Sequence, residues 1–133
     1  MSGELDLKKL LGTMSAQLHA GIYVFATLPT GKIPAELTPR MIFTEAEGTT
    51  MILLQDQARL AGIAHEFPCR MITLNVHSSL EAVGFIARIA TELARAGMGV
   101  NPVSGFYHDH LFVPDGRQDE AMEILAALAA ASV

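Results

Sequence analysis

The stretch that decides the fold is residues 70–96, RMITLNVHSSLEAVGFIARIATELARA. Apolar and polar side chains alternate over Arg70–Val76, and this alternation predicts a β-strand. Its two faces carry Ile72, Leu74 and Val76 on one side and Met71, Thr73 and Asn75 on the other. Apolar residues then recur at helical spacing to about Ala96, and Ser78 and Glu81 match a capping box. The stretch therefore predicts a strand followed directly by an amphipathic helix.

Periodicity and turn signals divide the rest of the chain into shorter elements. They predict a short helix over Leu5–Leu11, a strand over Ile22–Leu28, a hairpin of Met41–Ala46 and Thr50–Leu54, a short helix over 55–61, a second hairpin of Val100–Gly105 and Leu111–Val113, and a helix over 118–131. Pro102 has no backbone N–H, which favours an edge position for its strand. Three prolines within residues 29–40 exclude a long helix there.

The two halves of the chain repeat one order of elements. Each runs through a strand, a connection, a hairpin and a helix, which is the β-α-β-β-α-β order of a ferredoxin-like unit. The sequence thus predicts an α+β protein with two ferredoxin-like units in tandem, residues 1–66 and 67–133, with antiparallel sheets and helices on one face. The first unit is degenerate, because a proline-rich loop replaces its first helix. Each half supplies three clear strands, so strand 70–76 could serve both sheets.

Composition excludes several classes of protein. Of the 133 residues, 50% are hydrophobic and 17% are charged, which excludes a disordered chain. The single cysteine excludes a disulfide framework and a multi-cysteine metal site. Nine basic residues against fourteen acidic ones give a net charge of −5 without a basic cluster, so nucleic acid and anionic membranes are poor partners. With no membrane-spanning apolar run and no secretory signal pattern, a cytoplasmic protein is expected.

The predicted strand-to-helix turn after residue 76 is the first segment that could carry chemistry. The N-terminus of a helix offers unpaired N–H groups, which suit a carboxylate or a phosphate. Side chains of His77, Ser78 and Ser79 could add hydrogen bonds to such a ligand. The alternative is that Ser78 only caps its own helix.

Two further arrangements point to other chemistry. His108 and His110 share a spacing that places both rings on one strand face, and His77 could join them as a third metal ligand. Asp and His are also ordinary residues at tight turns.

Nucleophilic catalysis would use Cys69, Ser78 or Ser79 with a histidine, but no nucleophile elbow or phosphate-binding loop occurs. The sequence therefore favours a protein that is not an enzyme and needs no cofactor.

The second half resembles an ACT domain, a small regulatory module that binds amino acids and other small effectors. The resemblance rests on Ile72–Val76, the turn His77–Leu80, the helix that follows and Val100–Ser104. The segments HSSLEAVG at 77–84 and YHDHLFVP at 107–114 are similar to a family of small, stand-alone tandem-ACT proteins. The strand that starts at Val100 is also similar to the regulatory portion of aspartate kinases.

The resemblance implies a binding site between two ACT units, formed by the strand-to-helix turn and the second strand. The implied ligand-binding residues are Asn75, His77, Ser78, Ser79 and Leu80 in the turn and Val100, Asn101 and Ser104 in the second strand. Tyr107, His108 and His110 of the predicted hairpin are further candidates for ligand binding, although the two histidines have no counterpart in the general ACT pattern. An amino-acid effector would place its carboxylate on the N–H groups after His77. Alternatives are a protein-interaction domain without a ligand, and a histidine-dependent or metal-assisted enzyme. Exposed edge strands favour a homodimer.

Overall fold

A computed structural model describes residues 3–29 and 32–132 of the chain. The elements in chain order are α1 (Leu7–Thr13), β1 (Ala16–Leu18), β2 (Tyr23–Leu28), β3 (Met41–Thr44), β4 (Thr49–Leu54), α2 (Gln55–Leu60), β5 (Glu66–Leu74), α3 (Phe85–Arg95), β6 (Asn101–Ser104), β7 (Asp109–Pro114) and α4 (Gln118–Ala131). The predicted α+β class is confirmed. None of the described helices is long and apolar enough to cross a membrane.

The chain forms two compact units. The continuous unit is Gly21–Cys69, and the discontinuous unit combines Met1–Ala20 with Arg70–Val133, in each case as far as these residues are described. The predicted division of the chain at residues 66 and 67 into two ACT-type units remains a prediction. Within the discontinuous unit, helix α1 contacts helix α4, although the two helices are more than 100 residues apart in the sequence.

The continuous unit contains β2, β3, β4 and α2 in an antiparallel arrangement. β4 pairs along its length with both β2 and β3. Val24 and Ala26 lie on the face of β2 that packs into the core of this unit, which also includes Leu53 and Ala58. Gly62 follows α2 with a φ of +67°, a conformation that glycine adopts without steric cost.

The discontinuous unit buries the apolar faces of three helices against its strands. Its core combines Leu10 of α1, Ile89 and Leu93 of α3 and Leu125 of α4, all at most 1% exposed, with side chains from β5 and β7. The predicted alternation of the strand from residue 70 is confirmed, because Ile72 and Leu74 are core residues whereas Met71 and Thr73 are not part of this cluster. β6 is an edge strand, which is where Pro102 is tolerated.

β5 is longer than predicted and belongs to both units. Its first residues pair with β2, with Cys69 opposite Tyr23, and its last residues pair with β1, with Leu74 opposite Ala16. β7 is its neighbour as well. The residues of β5 that pair with β2, Glu66 and Cys69, lie upstream of Arg70, so the described pairs do not bear out the expectation that strand 70–76 could serve both sheets. The sequence prediction missed β1 altogether.

Candidate functional site

The discontinuous unit contains a cavity of about 170 Å³ beside the turn that follows β5. Its lining residues come from that turn, the start of α3, the end of β6 and the start of β7, and they are Ser78, Ser79, Leu80, Ala82, Phe85, Ile86, Ser104 and Asp109. Four of the residues that the resemblance implies as ligand-binding are therefore brought together here: Ser78, Ser79, Leu80 and Ser104. The strands and the turn are fixed by the core beneath them, so these side chains surround a preformed hollow.

The cavity is dominated by a buried carboxylate that the sequence analysis did not select. Asp109 is 5% exposed, and its Oδ2 accepts a hydrogen bond of 2.9 Å from the Ser78 hydroxyl. The Ser104 hydroxyl donates to its Oδ1 at 2.6 Å. Among the described residues, no lysine, arginine or histidine nitrogen forms an ion pair with Asp109. A buried carboxylate without a cation costs free energy, so this arrangement favours a positively charged ligand group.

A signal for Asp109 was present in the sequence. The structure extends the predicted strand Leu111–Val113 backwards, so that β7 begins at Asp109. Asp109 then has the same parity as Leu111 and Val113, and side chains two residues apart lie on one face of a strand. A strand two residues longer would have placed one carboxylate among buried apolar residues, which marks a candidate site.

The helix after the turn begins later than predicted, and the predicted capping box is wrong. α3 starts at Phe85, and Gly84 precedes it in the left-handed conformation without a side-chain cap. The Ser78 hydroxyl is used by Asp109 instead. Residues 80–84 therefore form turns, and they carry Leu80 and Val83 to the surface, where these side chains are 66% and 84% exposed.

Four of the N–H groups after His77 are engaged within the chain, which contradicts the prediction that this cluster of N–H groups is free. The N–H of Ser78 donates to Val76 O at 3.1 Å, that of Ser79 to Glu4 O at 2.9 Å, that of Glu81 to Ser79 Oγ at 3.1 Å, and that of Ala82 to Ser79 O at 3.0 Å. Three of these partners belong to the turn itself. The fourth, Glu4, comes from the beginning of the chain, and it occupies the N–H of Ser79 with a backbone carbonyl.

The three histidines considered as metal ligands do not converge. The ring of His77 packs 5.4 Å from that of Tyr107, and its Nε2 is buried without a hydrogen-bond partner among the described residues. The rings of His108 and His110 are 6.5 Å apart. Within residues 3–29 and 32–132, no group of three potential ligand side chains is placed to hold a metal ion. Among the described residues, the three histidines therefore do not form the metal site that the sequence analysis considered as an alternative.

His110 belongs to a different cluster, on the face of β5 away from the helices. Its Nδ1 lies 2.9 Å from the hydroxyl of Thr73, and the same hydroxyl lies 2.6 Å from Nε2 of His19. The carbonyl of His19 accepts a hydrogen bond of 3.3 Å from the Arg70 guanidinium. Since a hydroxyl can donate only one proton, one of the two imidazoles must donate to it.

The remaining predicted residues lie outside the cavity. Asn75 is exposed, and its N–H donates to Ser15 O at 2.6 Å. Val100 is partly buried against the core, Asn101 is exposed at the start of β6, and Tyr107 is 63% exposed. Cys69, an alternative nucleophile, is fully buried, and its thiol donates to Tyr23 O at 3.3 Å.

The continuous unit has a larger hollow of about 530 Å³, lined by Phe25, Ala26, Thr27, Glu45, Thr50, Ala64, His65 and Glu66. Its two carboxylates, Glu45 and Glu66, belong to residues that are exposed to solvent. Water screens exposed charges, so such groups bind a ligand more weakly than a desolvated carboxylate does. The smaller cavity at Asp109 is therefore the candidate site.

Comparisons with known proteins agree with the fold and the order of units. Sequence models described as ACT domain match residues 2–70 and, separately, residues 66–127. A Vibrio cholerae protein of unknown function, described as a possible transport protein, is 40% identical over 92% of this chain and 95% of its own, with a TM-score of 0.84. No curated protein matches the sequence.

Two more distant structures share the fold alone. An Agobacterium tumefaciens protein is 20% identical, with a TM-score of 0.74 over 87% of this chain and 89% of its own. The regulatory subunit of aspartate kinase from Thermus flavus is 10% identical, with a TM-score of 0.62 over 86% of this chain and 96% of its own. The two family matches together cover nearly the whole sequence. The chain therefore belongs to the ACT domain family, with two such domains in tandem.

Proposed function

We propose that this protein is a non-enzymatic regulatory module that binds a small amino acid in the cavity beside Asp109. ACT domains are regulatory domains that bind small-molecule effectors. The observation that carries the proposal is the buried Asp109 carboxylate, which accepts hydrogen bonds from two serine hydroxyls and has no cationic partner in the described chain. An ammonium group would supply the missing positive charge.

This proposal reverses the predicted orientation of the effector. The sequence favoured a carboxylate on the free N–H groups after His77, but four of those groups are engaged and a protein carboxylate lies beside them. The α-ammonium group, rather than the carboxylate, is therefore the part that Asp109 recognises. A volume of about 170 Å³ is below the roughly 300–1,000 Å³ of pockets for drug-sized ligands, so the effector has a small side chain.

A thermal-shift titration with matched small molecules tests the proposal. We expect L-alanine and L-serine to raise the melting temperature, because a ligand at 100 times its Kd adds about 2.7 kcal/mol to the free energy of unfolding. L-lactate replaces the ammonium group of alanine with a hydroxyl and should give no shift at the same concentration. If none of the twenty common amino acids stabilises the protein, the proposal is wrong.

A second candidate, a protein-interaction domain without a ligand, is favoured by exposed apolar side chains of the discontinuous unit. Four of them are strongly exposed: Leu80 (66%), Val83 (84%), Phe106 (58%) and Tyr107 (63%). ACT domains often dimerise, and a second copy of the chain would cover these side chains. Such a homodimer would also place the effector at an interface between ACT units, as the resemblance implies.

Sedimentation velocity distinguishes these possibilities. We expect the wild-type protein to sediment as a dimer and Val83→Asp to shift it towards monomer, because a charge replaces an apolar contact. Leu60→Asp is the matched control, since Leu60 is 91% exposed but lies in the continuous unit. A dimer that does not respond to any amino acid would favour the interaction domain. A monomeric wild type would contradict the homodimer.

A further inference from the structure

We propose that the segment Gly3–Glu4 is a built-in strap that competes with the effector for the turn at Ser79. This inference rests on the proposed function, because it concerns access to the same cavity. The strap is a short backbone connection between the start of the chain and the turn after β5. Its removal should strengthen binding of an amino acid, whereas a purely structural segment would weaken binding when removed.

Two backbone hydrogen bonds hold the strap on the turn. The N–H of Glu4 donates to His77 O at 2.8 Å, and the N–H of Ser79 donates to Glu4 O at 2.9 Å. Together they form an isolated parallel bridge between Glu4 and Ser78. The carbonyl of Glu4 therefore occupies a donor on a residue that lines the cavity, where an anionic oxygen of an effector would otherwise bind.

The Glu4 side chain bonds to residues at and just before the start of α1, whereas the Glu4 backbone bonds to the turn. The carboxylate accepts hydrogen bonds from the N–H groups of Asp6 and Leu5 at 3.1 and 3.0 Å and pairs with Lys9 at 3.2 Å. The hydrogen bond from Asp6 is the main cause of a lowered pKa of Glu4, and Lys9 adds to it. Because a lowered pKa favours the ionised form, this anchor persists at neutral pH and is lost as the pH falls through the pKa of the folded protein.

Gly3 is the residue that allows the strap to lie so close to the turn. Its φ is +90°, and a Cβ at this position would lie 2.5 Å from Ser79 N and 2.6 Å from Ser78 C. Both are backbone atoms, which cannot move aside as the end of a side chain can. A methyl group at Gly3 must therefore displace the strap from Ser78 and Ser79.

Displacement of the strap has a calculable effect on binding. An amino acid with its ammonium group on Asp109 can place its carboxylate on Ser79 N–H only when Glu4 has left. Its apparent Kd is then the intrinsic Kd divided by the fraction of molecules in which the strap is open. Two backbone hydrogen bonds make that fraction small, so an opened strap should lower the Kd for L-serine by about tenfold or more.

Calorimetric titration of the Gly3→Ala protein with two ligands tests the strap. L-serine has both an ammonium group and a carboxylate, whereas ethanolamine lacks the carboxylate and does not need Ser79 N–H. We expect Gly3→Ala to tighten binding of L-serine by about tenfold and to leave the affinity for ethanolamine unchanged. Gly116→Ala is the matched control, because Gly116 has a similar φ of +99° in the same unit and its Cβ would contact nothing within 4 Å.

Amide hydrogen exchange at Ser79 reports the strap directly, in the absence of any ligand. Exchange should be faster in Gly3→Ala than in wild type and in Gly116→Ala. Equal L-serine affinities in wild type and Gly3→Ala, or weaker binding in the variant, would overturn the strap and leave the proposed function standing. Absence of binding by wild type, by Gly3→Ala and by a protein lacking residues 2–4 would overturn the proposed function and the strap with it.

Discussion

Asp109→Asn should abolish recognition of the amino group while it stabilises the protein. The variant keeps the shape of the side chain, and its amide can still hydrogen-bond to Ser78 and Ser104. It removes the negative charge that an ammonium group requires. Loss of one member of a desolvated charge pair costs about 2–5 kcal/mol of binding free energy. The Kd for L-serine should therefore rise by roughly 30-fold to several thousand-fold.

The stability of the ligand-free Asp109→Asn protein should change in the opposite direction. In the wild type, a carboxylate that is 5% exposed is buried without a cation among the described residues. Burial of an ion costs several kcal/mol of lost hydration, whereas a neutral amide of the same shape loses less, so the variant should be more stable than the wild type. A gain in stability with a loss of binding is the signature of a site kept for function rather than for folding.

Chemical denaturation and calorimetry on the same samples measure both effects. Asp119→Asn is the matched control, because Asp119 is an exposed aspartate in the first turn of α4 in the same unit. It should change neither the free energy of unfolding nor the Kd beyond small surface effects. If Asp109→Asn lowers stability and leaves the Kd unchanged, the carboxylate is a structural group and the proposed recognition of an amine is wrong.

Leu93→Ala should produce the largest loss of stability among the changes considered. Leu93 is fully buried in α3, within the core of the discontinuous unit. Truncation of such a leucine removes apolar contacts and leaves a cavity, which costs about 2–5 kcal/mol. For a domain of ordinary stability, about 5–15 kcal/mol, this loss leaves a marginally folded protein.

Urea denaturation measures this loss, with Leu80→Ala as its control. Leu80 lies in the same unit but is 66% exposed, so its truncation should cost less than about 0.5 kcal/mol. The slope of the denaturation curve should be similar in the two variants, because both retain the native core topology. Comparable stabilities of Leu93→Ala and Leu80→Ala would contradict the packing described here.

The sequence predicted those elements whose local pattern is strong. The helix over 118–131 has the predicted bounds, since Gly116 breaks the chain before it and apolar residues such as Leu125 and Leu128 recur with helical spacing. β1 was missed because three residues, Ala16–Leu18, are too few to show a period. Its assignment depends on β5, more than 50 residues away, which no local pattern contains.

The errors at the candidate site have the same origin. Ser78 and Glu81 fit a capping box in sequence, but partners from distant parts of the chain prevent it. The Ser78 hydroxyl donates to the carboxylate of Asp109, and the N–H of Ser79 donates to the carbonyl of Glu4. Long-range partners decide whether a local motif forms. Ser78 and Ser79 were already selected from the predicted strand-to-helix turn, and Leu80 and Ser104 were added through the family resemblance. Asp109 required knowledge of where β7 begins.

The discontinuous unit has a consequence for the order in which a growing chain can fold on the ribosome. α1 and β1 are synthesised before residues 21–69, whereas their packing partners, α4 and the second part of β5, are synthesised after them. Residues 21–69 contain most of their own contacts and can collapse as soon as they emerge. Residues 3–20 therefore lack these partners until the later residues have been synthesised, and the strap can close on its turn only once Ser79 has emerged.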